Sequence, residues 1–399
     1  MRITQVVPYF YPAWAYGGPA KLVYDLARYL GSQGHQVLVI TSDSYDEKKR
    51  MPEELRIART ENLQIRYYRN IQNTLAYRFN IFFTPGFYVP AVRAILHSDV
   101  VHIHDFYTPQ NTWVSFLCWL FNKPLLISVH GCLEPKRLEQ RSLFKRFYLK
   151  IVGSWMLKKA SMLIATSDNE LEAYASQGIT KNRIYRMGHG VDTDEYKPRL
   201  GKKSARKQLG VPLDKTIISY LGRVHSIKGL DLLVAAVDLL KEKQIHVIIA
   251  GSDDGYKTQL IADIRSRKLE SMITLMDTCF GQEKELLFAA TDLFVYPSYS
   301  EGFSLGILEA AASGLPLLIS TGCHFPEAEK EKAGSVVEPN PQAFAEAITQ
   351  LISKPGLLSK MGKRARLLIL QHYSFEVAYK KLEKLYSDLS KGIHNTNAE

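Results

Sequence analysis

The stretch Pro297-Ser298-Tyr299-Ser300-Glu301-Gly302-Phe303-Ser304-Leu305-Gly306-Ile307-Leu308-Glu309-Ala310 decides how this chain is read. Before it, Asp292 to Tyr296 has the short apolar composition of a buried strand; after it, small and apolar residues run at helical spacing to Gly314. The order is therefore strand, Pro-bounded turn, helix. Glu301 falls in the turn, and Glu309, with seven residues between, falls one to two turns into the helix. The unpaired amides near Ser304 and Leu305 point at whatever lies beyond the strand's carboxyl end, where an anion is favoured. One carboxylate before an anion-binding helix start and one inside it suits a ligand with hydroxyls on both sides of a phosphate, such as a nucleotide sugar.

The same alternation fills the chain. Ile3–Val7, Gln36–Thr41, Val100–His104, Leu125–His130 and Met162–Thr166 read as strands in the first half, with a helix over Pro19–Leu30; Ile217–Leu221, His246–Ala250, Ile273–Met276 and Leu293–Tyr296 restart the pattern in the second. Short β-branched runs alternating with amphipathic helices predict parallel sheets covered on both faces. Two doubly wound α/β units imply a cleft between them, with ligands at the carboxyl ends of the strands. The expected division is 1–195, 196–374 and a last helical segment 375–399, with Pro198, Gly201 and Pro212 punctuating the linker.

Leu221-Gly222-Arg223-Val224-His225-Ser226-Ile227-Lys228-Gly229 also follows a strand and precedes a helix. An Arg fork and a Lys point charge there suit phosphate oxygens, and fixed cations stabilise a leaving diphosphate more as its charge develops. Gly17-Gly18-Pro19 is either a tight strand-to-helix turn or a place where backbone closely approaches a ligand. Gly251, in Gly251-Ser252-Asp253-Asp254-Gly255, opens a turn near a diphosphate or ribose, or a plain turn. His130 ends a strand ahead of Gly131; His102 and His104 share one face of another, without a third ligand at zinc-like spacing.

Taken in order, these motifs resemble the retaining GT-B glycosyltransferases of the large bacterial family with a Glu-x7-Glu signature, glycosyltransferase family 4, group 1-like. The resemblance covers nearly the whole chain; His189 in Met187-Gly188-His189-Gly190-Val191-Asp192 replaces the Asn common at that hinge. It implies two Rossmann-like domains facing a central cleft, acceptor side first and nucleotide side second, with the last helix crossing back. It implies catalytic roles for Glu301 facing the transferred sugar, Arg223 and Lys228 on the diphosphate, and His130 near a sugar hydroxyl. Donor binding falls to Gly17, Gly18, Arg223, Lys228, Gly251, Phe303, Ser304 and Leu305, with Glu309 on the ribose. The implied reaction is hexose transfer with retention, from a UDP-sugar (UDP-glucose first, GDP-mannose next) to a carbohydrate or lipid-linked carbohydrate in polysaccharide or envelope assembly, with no metal and no further cofactor. A nucleotide-sugar epimerase and a non-catalytic nucleotide-sugar-binding subunit are the alternatives.

Composition bounds the rest. With 46% hydrophobic and 23% charged residues the chain is an ordinary globular one, and no apolar run is long enough to span a bilayer. Four separated cysteines point to a reducing cytoplasm. The net charge of +11 favours anionic partners; no nucleic-acid-binding motif is present. Residues 136–159 carry eight Lys or Arg against Glu139, interleaved with aromatics. They are either a solvated basic helix back or a peripheral contact with the anionic inner face of the plasma membrane.

Overall fold

In the computed structural model, residues 1–392 are described except 17, 58, 134–146, 198, 242 and 302–303; the side chain of 355 is also outside the description. The chain divides into two compact units, residues 1–190 with 375–399, and residues 191–374.

The first unit holds β1 (Arg2–Val6), α1 (Pro19–Ser32), β2 (Gln36–Ser42), β3 (Leu63–Tyr68), α2 (Asn73–Phe79), α3 (Tyr88–His97), β4 (Val100–His104), α4 (Pro109–Leu120), β5 (Leu125–Ser128), α5 (Ser154–Lys159), β6 (Met162–Ala165), α6 (Asp168–Ser176) and β7 (Ile184–Arg186). Its seven strands lie in the order β3-β2-β1-β4-β5-β6-β7, all parallel. The second holds α7 (Lys202–Leu209), β8 (Thr216–Leu221), α8 (Leu230–Asp238), β9 (Ile245–Ala250), α9 (Lys257–Ser266), β10 (Ile273–Met276), α10 (Gln282–Ala290), β11 (Leu293–Tyr296), α11 (Leu305–Ala312), β12 (Leu317–Ser320), α12 (Glu327–Lys330), β13 (Gly334–Val337), α13 (Pro341–Ile352) and α14 (Pro355–His372). Its parallel order is β10-β9-β8-β11-β12-β13. In each sheet the order reverses at one place, between β1 and β4 and between β8 and β11, and the gap outside those strands' carboxyl ends is where such sheets take ligands.

Local sequence explains these elements. Pro19 opens α1, and Leu22, Val23, Leu26, Ala27 and Leu30 form its buried stripe; the chain leaves through Gly34 at φ 82°. The Asn340 side chain accepts from the Ala343 N–H at 2.9 Å, Pro341 follows, and Phe344, Ile348 and Leu351 face the core of α13. Strands β9 and β12 are buried along their whole length, as strands covered on both faces must be. Each fully buried ring, such as Phe294 or Phe344, contributes about 1.5–3 kcal/mol.

The last helix, α15 (Phe375–Ser390), packs in the first unit. Tyr379 meets Tyr29 of α1 at 5.5 Å between rings, and His35 pairs with Glu383 at 2.7 Å. The first unit ends at Gly190 rather than at 195, because Val191 N–H donates to the Tyr373 carbonyl at 2.8 Å and joins the second unit.

Candidate functional site

Strand β8 delivers Gly222 to Lys228, and β11 delivers Pro297 to Glu301, so these segments leave the second sheet at its reversal point. They are woven together by backbone: Tyr299 N–H donates to the Ile227 carbonyl at 2.9 Å and Glu301 N–H to the Gly322 carbonyl at 2.8 Å. Gly229 stands at φ 66°, and a Cβ there would lie 2.1 Å from the Pro297 carbonyl oxygen, so no other residue fits. This closeness brings Lys228 and Glu301 together. Lys228 Nζ donates to Glu301 Oε1 at 2.6 Å with both residues buried. Burial works to lower the Lys228 pKa, but Tyr296 and the Glu301 carboxylate outweigh it and hold the ammonium above its ordinary value. The ammonium also lies 5.8 Å from the centre of the Tyr296 ring.

Glu309, on the second turn of α11, is buried and doubly held. The Tyr196 hydroxyl donates to its Oε1 at 2.7 Å, and Lys284 Nζ donates to its Oε2 at 3.0 Å and to the Tyr196 oxygen at 3.1 Å. Arg366 fixes this arrangement from behind, donating to the carbonyls of Thr193 (3.3 Å) and Tyr196 (3.4 Å) and to the Ala312 carbonyl that ends α11. Each carboxylate oxygen keeps acceptor capacity, so a vicinal diol fits this carboxylate. Ser304 precedes α11 without a side-chain cap bond, which leaves the amides of Leu305 and its neighbours for a ligand. Gly302 and Phe303 lie outside the described residues.

Arg223 pairs with Asp254, and the guanidinium is nearly half exposed. Asp254 sits on the turn opened by Gly251, and the two loops zip together: Val224 N–H donates to the Ser252 carbonyl at 2.8 Å and Asp254 N–H to the Val224 carbonyl at 3.0 Å. A Cβ on Gly251 would lie 1.7 Å from the Gly222 carbonyl oxygen, so this glycine sets the spacing of the loops whatever it binds. The second unit thus gathers Arg223, Lys228, Gly251, Glu301, Ser304, Leu305 and Glu309 around the ends of β8, β9 and β11.

In the first unit, His130 sits two residues past β5 with φ 48°, a left-handed conformation costing about 1–2 kcal/mol. Glu170 of α6 holds that turn: its Oε1 accepts from the Gly131 N–H at 2.5 Å, and its Oε2 accepts from the Thr166 N–H (2.7 Å) and hydroxyl (2.9 Å). His130 Nε2 hydrogen-bonds His104 Nδ1 at 3.1 Å, and its ring stacks between those of His104 (5.4 Å) and His189 (5.8 Å). Burial pushes the His104 and His189 pKa values well down, so both rings are neutral. His102 is structural, with its ring nitrogens bonded to the Tyr386 hydroxyl at 2.6 Å and Ser128 Oγ at 2.8 Å. Gly18 takes an ordinary right-handed helical conformation, and its carbonyl accepts from Lys21 and Leu22 N–H. Gly17 lies outside the described residues.

Sequence reasoning missed Lys284, Tyr196, Asp254 and His104's link to His130. Lys284 lies in Gln282-Glu283-Lys284-Glu285, which reads as a solvated helix start, and nothing local marks it as buried.

The profile of Glycosyltransferase Family 4 matches residues 16–195, and that of Glycosyl transferases group 1 matches residues 201–368. The chain belongs to this glycosyltransferase family. Among curated relatives, the D-inositol 3-phosphate glycosyltransferase of Kineococcus radiotolerans is 26% identical over 88% of this chain and 85% of its own length. That of Corynebacterium glutamicum is 24% identical over 96% and 94%. Among solved structures, HepE of Anabaena in complex with UDP-glucose superposes with a TM-score of 0.77 at 20% identity, over 97% of this chain and all of that one. Sucrose-phosphate synthase from Thermosynechococcus elongatus gives 0.76 at 20% identity, over 98% and 100%. These likenesses show the GT-B fold.

Proposed function

We propose that this glycosyltransferase moves a hexose from a UDP-sugar to a carbohydrate or lipid-linked carbohydrate, with retention at the anomeric carbon. The observation that carries the reading is the second-unit cluster. A buried Lys228–Glu301 pair lies beside the half-exposed Arg223, and Glu309 is fixed by Tyr196 and Lys284. Lys228 and Arg223 bind the diphosphate and stabilise the charge that builds as the sugar–phosphate bond breaks. Glu301, steadied by Lys228, accepts hydroxyls of the sugar, and Glu309 accepts both ribose hydroxyls. The α11 amides at Ser304 and Leu305, with Phe303, Gly17, Gly18 and Gly251, complete donor binding. His130 polarises a sugar hydroxyl. The acceptor oxygen attacks on the face the phosphate leaves, and a phosphate oxygen takes its proton, so no enzyme nucleophile is needed. Arg223 and Lys228 supply the countercharge, so activity is expected to persist in a strong chelator.

UDP is favoured because HepE, on the same fold, binds UDP-glucose. The relatives' names favour one specific acceptor to include in the trial, D-inositol 3-phosphate. The site of action is the cytoplasm, with a peripheral contact at the membrane's inner face; among the described residues no helix is long and apolar enough to cross a membrane. Of the 136–159 run, residues 136–146 lie outside the described residues.

The test is turnover of UDP-, GDP- and ADP-sugars with acceptor panels, followed by NMR of the product's anomeric proton. A retained linkage from a UDP-sugar is expected. An inverted linkage overturns the mechanism, a change of the sugar without acceptor makes the protein an epimerase, and binding without turnover makes it a non-catalytic subunit.

A further inference from the structure

The first unit carries an apolar surface that the transfer reaction leaves unexplained. Helix α4 buries Val114, Leu117 and Cys118 against the unit's core, yet its opposite side exposes Trp119 (51%) and Leu120 (53%). A helix apolar on both sides needs a second apolar neighbour. The exposed side continues beyond α4. Rings run in contact from Tyr88 to Trp113 (6.0 Å), Phe116 (5.7 Å), Trp119 (5.8 Å) and Trp155 of α5 (6.2 Å). Val89 at the start of α3 is 81% exposed, and Ile151, just before α5, is 57% exposed. Between these helices lies a groove of about 760 Å³, lined by side chains such as Ile81, Trp113, Phe116, Ile151 and Trp155. That is the volume of a ligand site rather than a packing defect.

The charge of this region identifies the occupant. Residues 81–98, 106–133 and 147–167 contain Arg93, Lys123, Lys150, Lys158 and Lys159 and not one Asp or Glu. Acidic residues are 40 of 399 in the chain, so carboxylates are selectively absent from the segments that make this face. A second copy of the chain is disfavoured, because a two-fold interface would set this cationic face against itself. Tryptophan and tyrosine with lysine and arginine around an apolar surface match a bilayer interface, where rings sit at headgroup level and cations meet lipid phosphates.

We infer that the face formed by α3, α4, α5 and residues 81–83 docks on an anionic lipid bilayer, with lipid chains entering the groove between Trp113, Phe116 and Trp155. The contact deepens the peripheral-membrane reading above and extends its apolar part from the 136–159 run, which supplies Ile151 and Trp155, to α3 and α4. It does not depend on the donor site.

The experiment is flotation of the full chain with phosphatidylcholine vesicles and with vesicles also containing phosphatidylglycerol, run beside quenching of tryptophan fluorescence by brominated lipid. Trp119→Glu, Leu120→Glu and Ile151→Glu are the variants, singly and combined; all three side chains are exposed, so unchanged melting and unchanged turnover of a water-soluble acceptor are expected. The wild type is expected to float with the anionic vesicles, with quenched tryptophan. The combined variant is expected to lose about tenfold or more of that binding. Three results overturn the inference: no flotation of the wild type, flotation that the variants leave intact, or a concentration-dependent dimer in light scattering that the same variants dissolve. Failure here with UDP-sugar turnover intact removes the docking face alone; loss of turnover with flotation intact removes only the donor-site reading.

Discussion

Lys228 Nζ and Glu301 Oε1 meet at 2.6 Å in a buried pair where the β8 and β11 loops cross. Removing one partner strands the other. Glu301→Ala is expected to cost about 3–5 kcal/mol of stability and Lys228→Ala a similar amount, with the double variant costing less than the sum. Glu301→Gln keeps the shape and is expected to lower kcat/KM about 10²–10³-fold with a milder loss of stability. Chemical denaturation of the wild type and these four variants, alongside steady-state kinetics, checks both; additive stability losses would mean the pair does not act as a unit. Although burial opposes it, the Lys228 pKa is raised above 10.5, so its folded value exceeds its unfolded one. Its contribution is full below that value and is lost as pH climbs through the folded pKa.

Glu309 is the second test. Glu309→Ala is expected to weaken UDP binding about ten- to a hundredfold and to leave Lys284 buried without its carboxylate. Tyr196→Phe removes one donor and should cost about 1 kcal/mol of stability, with a shift in UDP affinity of less than tenfold. Calorimetric titration with UDP reads the affinities. Equal affinities in wild type and Glu309→Ala would remove the ribose assignment.

Arg223 makes an opposite prediction at its partner. Asp254 pairs with the guanidinium, so a diphosphate bound by Arg223 competes with a carboxylate. Asp254→Ala is expected to tighten UDP binding a few-fold and steepen its salt dependence, whereas Arg223→Ala lowers kcat/KM about 10²–10³-fold. Weaker binding in Asp254→Ala would instead make Asp254 a positioning residue for the guanidinium.

Histidines give the first unit a pH signature. Burial pushes His102 down to about 3, and burial also drives His104 and His189 well below 6.5. Their folded pKa values lie below the unfolded one, so the unfolded chain binds protons first. Stability is full above about 6.5 and falls as pH drops towards the folded values. The melting temperature is expected to decline steadily from pH 6.5 downward. His102→Phe, which forfeits the bonds to Tyr386 and Ser128, should cost about 1–3 kcal/mol at neutral pH but flatten that decline. A melting temperature level between pH 6.5 and 4 would contradict this.

These partnerships also mark where sequence runs out. Strands β4, β10 and β11 fall where the apolar runs predict them, because each run is short and clearly bounded; β4 and β11 are buried throughout, whereas β10 is an edge strand only half-buried after Ile273. Strand β3 was missed because its residues after Leu63 are only half-buried and polar residues interrupt it, and β7 because it spans only three residues. Gly334-Ser335-Val336-Val337 of β13 begins with the residues of a turn. In the site, Lys228 and Glu301 sit in local strand-turn-helix motifs that one sequence displays. Lys284 reaches Glu309 only after the chain folds back over a separation of 25 positions, and His104 reaches His130 over one of 26. Such pairs follow from strand order, and no local pattern encodes them.

Helix α15 has a consequence for how the chain is made. Tyr379, Leu382, Leu385, Tyr386 and Leu389 complete the hydrophobic core that Ile3, Val23, Leu26 and Val39 begin, although some 340 or more residues separate them. During synthesis the amino-terminal sheet emerges first, and it must wait with one flank of its core open while all of residues 191–374 are translated. The second unit can close on its own sequence, so it is expected to acquire protease resistance on the ribosome before the first. Nascent chains stalled ahead of residue 375 would then be the form of this protein that most needs a chaperone.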